Sequence, residues 1–149
     1  MHKFRYLKAR SLSQAVALLE SHGQAGKVVA GSTDFLVRWR LGHWAPEYVV
    51  DISRIRSLKK IRHSETTGLS IGALVNINVL QDYPIIRNRY PALASAAASF
   101  AGVQVRNLAT IGGNIVNASP AGDTIPALLA LGAQCKIVGP NGEVWIPLE

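Results

Sequence analysis

Two glycine-bearing segments hold the groups best suited to chemistry. The first is Val29-Ala30-Gly31-Ser32-Thr33-Asp34, between a strand-like run and a helix-like run. Gly31 permits close backbone approach or a positive φ. The next N–H groups lie at a helix start and have no partner within the helix. Ser32 and Thr33 add hydroxyls. Such a turn can hold a phosphate without a cationic side chain. A capped strand-to-helix turn with no ligand has the same pattern.

The second segment is Thr110-Ile111-Gly112-Gly113-Asn114. Paired glycines predict two exposed backbone N–H groups with no Cβ in the way. A bulge or tight turn reads equally well, and Asn114 suits left-handed geometry. Asn117-Ala118-Ser119-Pro120-Ala121-Gly122-Asp123 follows, small and polar, and leads at once into an apolar helix. Asp123 therefore serves as helix cap or as ligand. There is no Gly-Lys-Ser/Thr and no Gly-x-Gly-x-x-Gly, which sets aside the common nucleotide loops. Two separate turns can instead grip a diphosphate from two sides.

Other reactive side chains point to structure. The histidines at 2, 22, 43 and 63 show no metal-ligand spacing and read as surface residues. Cys135 is the single cysteine; it reads as a core residue in an apolar strand. Alone it holds neither a structural zinc nor an iron–sulfur cluster. No metal site is expected. Asp51, at an apolar strand end, reads as structural. Arg54, Arg56, Lys59, Lys60 and Arg62 form a basic run. A solvated face explains it; a docking surface for an acidic partner is the sharper reading. Nucleic-acid binding lacks any motif or interleaved aromatics to support it.

The elements that must position these groups follow from periodicity. Ser11 and Gln14 form a capping box for a helix from Ser11 to His22, stopped at Gly23. A strand is expected over Lys27–Ala30. A helix over Phe35–Leu41 is expected to be capped by Thr33 or Asp34 and to end at Gly42. A further strand is expected over Tyr48–Ile52. That order is a small parallel unit. Lys60–His63 and Leu69–Leu74 read as strands around a turn. Asn76 is expected to cap a short helix ending near Pro84, and Pro91 to open an alanine-rich helix to Phe100. Gly102 to Gly122 shows no helical period. Asp123 or Thr124 then begins a helix to Leu131, and Gly139-Pro140-Asn141-Gly142 joins a hairpin of Gln134–Val138 with Glu143–Ile146.

The 149 residues are 48% apolar and 17% charged, a globular composition that excludes disorder. The formal charge is +7. Residues 1–90 carry 14 basic and 6 acidic side chains, and residues 91–149 carry 2 and 3. No apolar run reaches the roughly 18 residues of a membrane helix. No apolar signal core follows Met1-His2-Lys3-Phe4-Arg5. A cytoplasmic protein is expected.

With Ala30-Gly31-Ser32-Thr33-Asp34 upstream, the segment from Thr110 to Asp123 closely resembles the FAD-binding domain of the molybdenum hydroxylases. That family includes the medium, or flavoprotein, subunits of carbon monoxide, xanthine and aldehyde dehydrogenases. Val49-Val50-Asp51-Ile52, Leu69-Ser70-Ile71-Gly72-Ala73 and Gln104-Val105-Arg106-Asn107 match family positions too. The resemblance covers essentially the whole chain. It implies an α+β, two-lobed FAD-binding fold of the PCMH type, shared with vanillyl-alcohol-oxidase-like flavoproteins. A small β-α-β lobe over about residues 1–55 would precede a second α+β lobe with a mainly antiparallel sheet over about 56–149.

The resemblance also implies cofactor contacts. Ala30, Gly31, Ser32, Thr33, Asp34, Phe35 and Leu36 would form the first FAD loop; Thr110, Ile111, Gly112, Gly113 and Asn114 would form the second. Asn117, Ser119, Asp123 and the aromatic Phe100 would add contacts. Ser32 stands where the family's first motif commonly has a second glycine. The chain would lack the end of the FAD domain and the family's C-terminal domain. The implied function is that of an FAD-dependent oxidoreductase subunit with no catalytic acid or base. It would pass electrons from the clusters of an iron–sulfur small subunit to an acceptor, beside a molybdenum-cofactor large subunit. The alternative is a truncated, non-catalytic module that keeps the fold and binds FAD weakly or not at all.

Overall fold

The computed structural model describes residues 2–119 and 122–149. The chain divides into two compact units, Met1–Arg56 with Lys136–Trp145, and Ser57–Cys135 with Ile146–Glu149. The first unit thus takes in a hairpin tip that the sequence assigns to the second lobe.

In the first unit, β1 (Arg5–Lys8), β2 (Gly26–Val29) and β3 (Tyr48–Asp51) form a parallel sheet in the order β1-β3-β2. Tyr6 and Lys27 both lie opposite Val49. Val49 and Val50, which point to opposite faces of the central strand, are both buried, as a parallel strand covered on two sides requires. Helix α1 (Leu12–His22) packs on β2 and β3. The Ser11 Oγ accepts from the Gln14 N–H at 3.1 Å. Gln14 Oε1 accepts from the Arg10 N–H at 2.8 Å, one residue before the helix cap. Helix α2 (Phe35–Arg40) sets Phe35 against Val29 and Val49, with Phe4, Trp39 and Trp44 around them.

Strand β1 is absent from the sequence reading. Arg5, Tyr6 and Lys8 are exposed, so this edge strand shows no apolar signal. His22 departs from its reading as a surface residue: it is half-buried and stacks on Tyr48, ring centroids 3.7 Å apart. His63, in the second unit, is half-buried and meets Tyr90 edge-on.

The second unit contains the antiparallel pair β4 (Ile61–Ser64) and β5 (Gly68–Ile71), with Ile61 opposite Ile71. Its helices are α3 (Ile77–Asp82), α4 (Pro84–Arg89), α5 (Pro91–Ser99), α6 (Val103–Arg106), α7 (Ile111–Asn117) and α8 (Ile125–Ala130). Their core includes Ile77, Leu80, Ile86, Leu93 and Leu128, with Ile61, Leu69 and Ile71 packed against it. Each such buried Leu or Ile contributes about 1.5–3 kcal/mol. Pro84 and Pro91 each open a new helix, so residues 77–99 form three short helices in place of one.

Residues 102–122, which show no helical period in sequence, contain α6 and α7. Both are short, and α7 contains two glycines, so no apolar stripe marks them. Strand β6 (Gln134–Gly139) and strand β7 (Gly142–Pro147) form the hairpin. Lys136 and Glu143 pair across it. Cys135 is half-buried there and is not among the buried hydrophobic residues of the described core, which corrects its reading as a core residue. The architecture is α+β.

Candidate functional site

The first segment begins where β2 ends. In open parallel sheets ligands bind beyond the carboxyl ends of the strands, and Ala30–Leu36 lies at that edge. Ser32 has φ 60°, a conformation that costs an L-residue roughly 1–2 kcal/mol. The Ser32 carbonyl accepts from the Leu36 N–H at 3.1 Å. Its hydroxyl leans on the Ala30 carbonyl at 3.5 Å. Asp34 follows in right-handed geometry and precedes α2 without a side-chain cap bond. Among the described residues, the N–H groups of Gly31, Ser32 and Thr33 meet no protein acceptor. Successive N–H groups in such a turn can form a concave nest for an anion. Phe35 does not face that nest: it is buried, 6.0 Å from Phe4 and 5.9 Å from Trp44 by ring centroids. It anchors the loop, while Leu36 is exposed.

At the same sheet edge, Asp51 is buried and accepts from the Tyr6 hydroxyl at 2.6 Å and the Ser53 N–H at 2.8 Å. Burial pushes its carboxyl up; the Tyr6 and Ser53 hydrogen bonds and Arg54 outweigh that and hold it below the usual carboxylate range. The same bond pushes the Tyr6 hydroxyl above its ordinary value. Asp51 is a strut between β1 and β3.

The second segment is no open turn, which corrects that reading. Thr110 caps α7, its Oγ1 accepting from the Gly113 N–H at 3.2 Å. The Ile111 N–H donates to Val75 O and the Gly112 N–H to Ala73 O, each at 3.0 Å. The Asn114 N–H donates to Thr110 O at 3.0 Å. The expected free N–H pair of Gly112 and Gly113 is therefore already engaged. The two glycines do different work. A Cβ on Gly112 would stand 2.7 Å from the Ala73 Cβ and 2.8 Å from its carbonyl oxygen. A Cβ on Gly113 would meet just the Thr110 Oγ1, at 3.0 Å. Gly112 allows helix and loop backbones to touch. Gly113 is exposed and leaves bare backbone on the surface.

Beyond α7, Ala118 is left-handed at φ 47°. Asn114 is buried and accepts at Oδ1 from the Thr124 hydroxyl at 2.5 Å. That bond clips the end of the small polar segment to its start. Thr124, at the N-cap position of α8, is fully buried. Its neighbour Asp123 is exposed, one residue before that position. Asn117 and Ser119 are half-buried. Pro120 and Ala121 lie outside the described residues. Phe100 ends α5, half-buried against the helical core. Arg106 Nη1 latches this corner, donating to Phe100 O at 2.8 Å and Ala101 O at 2.7 Å. That latch has no sequence signature, because its partners are backbone carbonyls five and six residues away.

Arg54, Arg56, Lys59, Lys60 and Arg62 are all exposed. Among the described residues no group of histidine, cysteine and carboxylate side chains could hold a metal ion. No helix among them is long and apolar enough to cross a membrane.

Residues 2–149 match the model of the FAD binding domain in molybdopterin dehydrogenase. The carbon monoxide dehydrogenase medium chain of Hydrogenophaga pseudoflava is 38% identical over 147 residues, covering 99% of this chain and 51% of that one. A putative xanthine dehydrogenase FAD-binding subunit of Escherichia coli is 36% identical over 144 residues, covering 97% and 49%. Carbon monoxide dehydrogenase from Hydrogenophaga pseudoflava superimposes with a TM-score of 0.94 at 38% identity over 98% of this chain and 50% of that one. A cyanide-inactivated Cu,Mo-CO dehydrogenase gives 0.95 at 28% identity over 99% and 52%. The chain spans about half the length of the relatives it matches. It belongs to the family of FAD-binding domains of the molybdopterin dehydrogenases.

Proposed function

We propose that this chain is the FAD-binding, electron-transferring part of a molybdenum-cofactor dehydrogenase, an oxidoreductase component working in the cytoplasm. Its partners are a large subunit with the molybdenum cofactor and a small subunit with iron–sulfur clusters. The carrying observation is the run of N–H groups at Gly31, Ser32 and Thr33 that meet no acceptor among the described residues, at a parallel-strand end, in a member of an FAD-binding family. FAD, when bound, supplies two-electron storage and one-electron exchange with clusters.

This chain's residues bind and orient. The nest at Gly31–Thr33 supplies donors to a phosphate, with the Ser32 and Thr33 hydroxyls beside it. In the second unit, Thr110 and Gly113 offer a bare backbone surface that FAD can approach closely, since Gly113 has no side chain. Asp123, exposed, can accept from a ligand hydroxyl. Asn114, Asn117 and Ser119 hold or border that surface, and Phe100 ends the helix leading to it. No side chain here is assigned a proton-transfer role.

The test is titration of the chain with FAD, followed by flavin fluorescence and the absorbance of bound oxidised flavin. Saturable one-to-one binding is expected. Gly113→Val should weaken it strongly and leave the melting temperature close to that of the parent. A chain that takes up no flavin at any concentration is the non-catalytic module instead.

A further inference from the structure

We propose that Asn76 is a positioning residue for the Thr110–Gly113 surface, an inference that rests on reading that surface as part of the FAD site. Asn76 occupies the N-cap position of α3 with extended backbone, yet its side chain makes no cap bond. Its Nδ2 instead donates to the carbonyls of Asn107 at 3.0 Å, Leu108 at 3.2 Å and Ala109 at 3.4 Å. Asn107 is the C-cap residue of α6, where carbonyls lack partners within the helix. One amide nitrogen thus gathers three successive carbonyls that lead into Thr110.

The neighbouring backbone extends this grip. Ile77 N–H donates to Ala109 O at 3.0 Å, and Asn76 bridges Thr110 in antiparallel fashion. Val75 O and Ala73 O then take the N–H groups of Ile111 and Gly112. Residues 73–77 are therefore a template along which 107–112 is laid. Asn76 is the member that acts through its side chain, and it reaches across 31 to 33 residues of sequence. It touches no ligand group itself; it fixes where Thr110 and Gly113 stand.

Asn76→Asp separates positioning from capping. The variant is nearly isosteric, and a carboxylate is a good N-cap beside the positive end of α3. It has no N–H to give, and it faces carbonyl oxygens. A role confined to α3 predicts unchanged or tighter FAD binding. Positioning predicts that Asn76→Asp and Asn76→Ala each raise the FAD dissociation constant by roughly tenfold or more, the scale of a lost set of hydrogen bonds. At saturating FAD the visible circular dichroism of the bound flavin should also change, a signature that simple loss of stability would leave alone. Amide exchange should quicken at Ile111–Asn114 while β1–β3 stays protected. FAD affinity and dichroism equal to the parent's in Asn76→Asp would overturn the inference and leave the flavin reading intact. Exchange quickened throughout the second unit would mark a merely structural role and overturn it too. A parent chain that binds no FAD overturns the flavin reading and this inference together.

Discussion

The paired glycines of α7 should respond unequally to the same methyl group. In Gly112→Ala the new Cβ would lie 2.7 Å from the Ala73 Cβ, 2.8 Å from its oxygen and 3.0 Å from its Cα. Two of those atoms are backbone, so α7 or the 73–77 segment must move. Overpacking of this kind costs about 1–3 kcal/mol. The Gly112 N–H to Ala73 O bond stretches with it, adding about 1 kcal/mol. Alanine's helix propensity returns about 1 kcal/mol. The net expectation is a loss of about 1–3 kcal/mol, or a melting temperature lower by roughly 3–10 °C for a chain of this size. In Gly113→Ala the methyl meets just the Thr110 Oγ1 at 3.0 Å. The hydroxyl can yield a few tenths of an ångström, and the propensity gain remains. That variant should melt within about 3 °C of the parent. Thermal unfolding by circular dichroism, without flavin, reads both. Equal losses in the two variants, or an unaffected Gly112→Ala, would refute the assignment of Gly112 to backbone packing and Gly113 to open surface.

Two further outcomes follow from buried polar groups. The Tyr6–Asp51 bond confers a pH window, with opposite signs at its ends. Asp51 is held below its ordinary value, so its contribution is present above the unfolded pKa and is lost as pH falls through the folded one. Tyr6 is raised above its ordinary value, so its contribution is present below the unfolded pKa and is lost as pH rises through the folded one. Tyr6→Phe should cost about 1 kcal/mol near neutrality, since Tyr6 is half exposed, and the cost should shrink at both extremes; a cost independent of pH in unfolding titrations would contradict this. Thr124→Val leaves the buried Asn114 Oδ1 without its donor and should cost about 1–3 kcal/mol. Thr124→Ser should keep most of that stability in the same denaturant titration.

How much was legible depends on whether a residue's partner is local. Ser11 with Gln14, and the turn at Gly139-Pro140-Asn141-Gly142, interact with near neighbours, and the structure matches both. Strand β1 shows the opposite case: its pairing with β3 is set by partners more than 40 residues away, and exposed Arg5, Tyr6 and Lys8 hide it. Asn76 fits its expected N-cap position, while its side chain serves carbonyls beyond residue 106. The Gly-Gly pair was legible as a place of close approach. It was not legible as a helix start, because α7 is held by residues 73–77 and by Thr110, whereas its own seven residues carry no apolar stripe.

The two glycine segments solve opposite problems with similar residues. In the Ala30–Leu36 segment the N–H groups of Gly31, Ser32 and Thr33 meet no acceptor among the described residues, and Ser32 sits in left-handed geometry, where a glycine would rest without strain. The loop tolerates this because Phe35 is locked among Phe4, Trp39 and Trp44 directly after it. At Thr110–Asn114 the donors are committed to residues 73–75 and to Thr110. What that segment offers outward is placement: a rigid helix start with bare backbone at Gly113, clipped behind by Asn114 and Thr124. Each segment is thus a different kind of proposed FAD contact within its own unit, one that donates hydrogen bonds and one that permits close backbone approach.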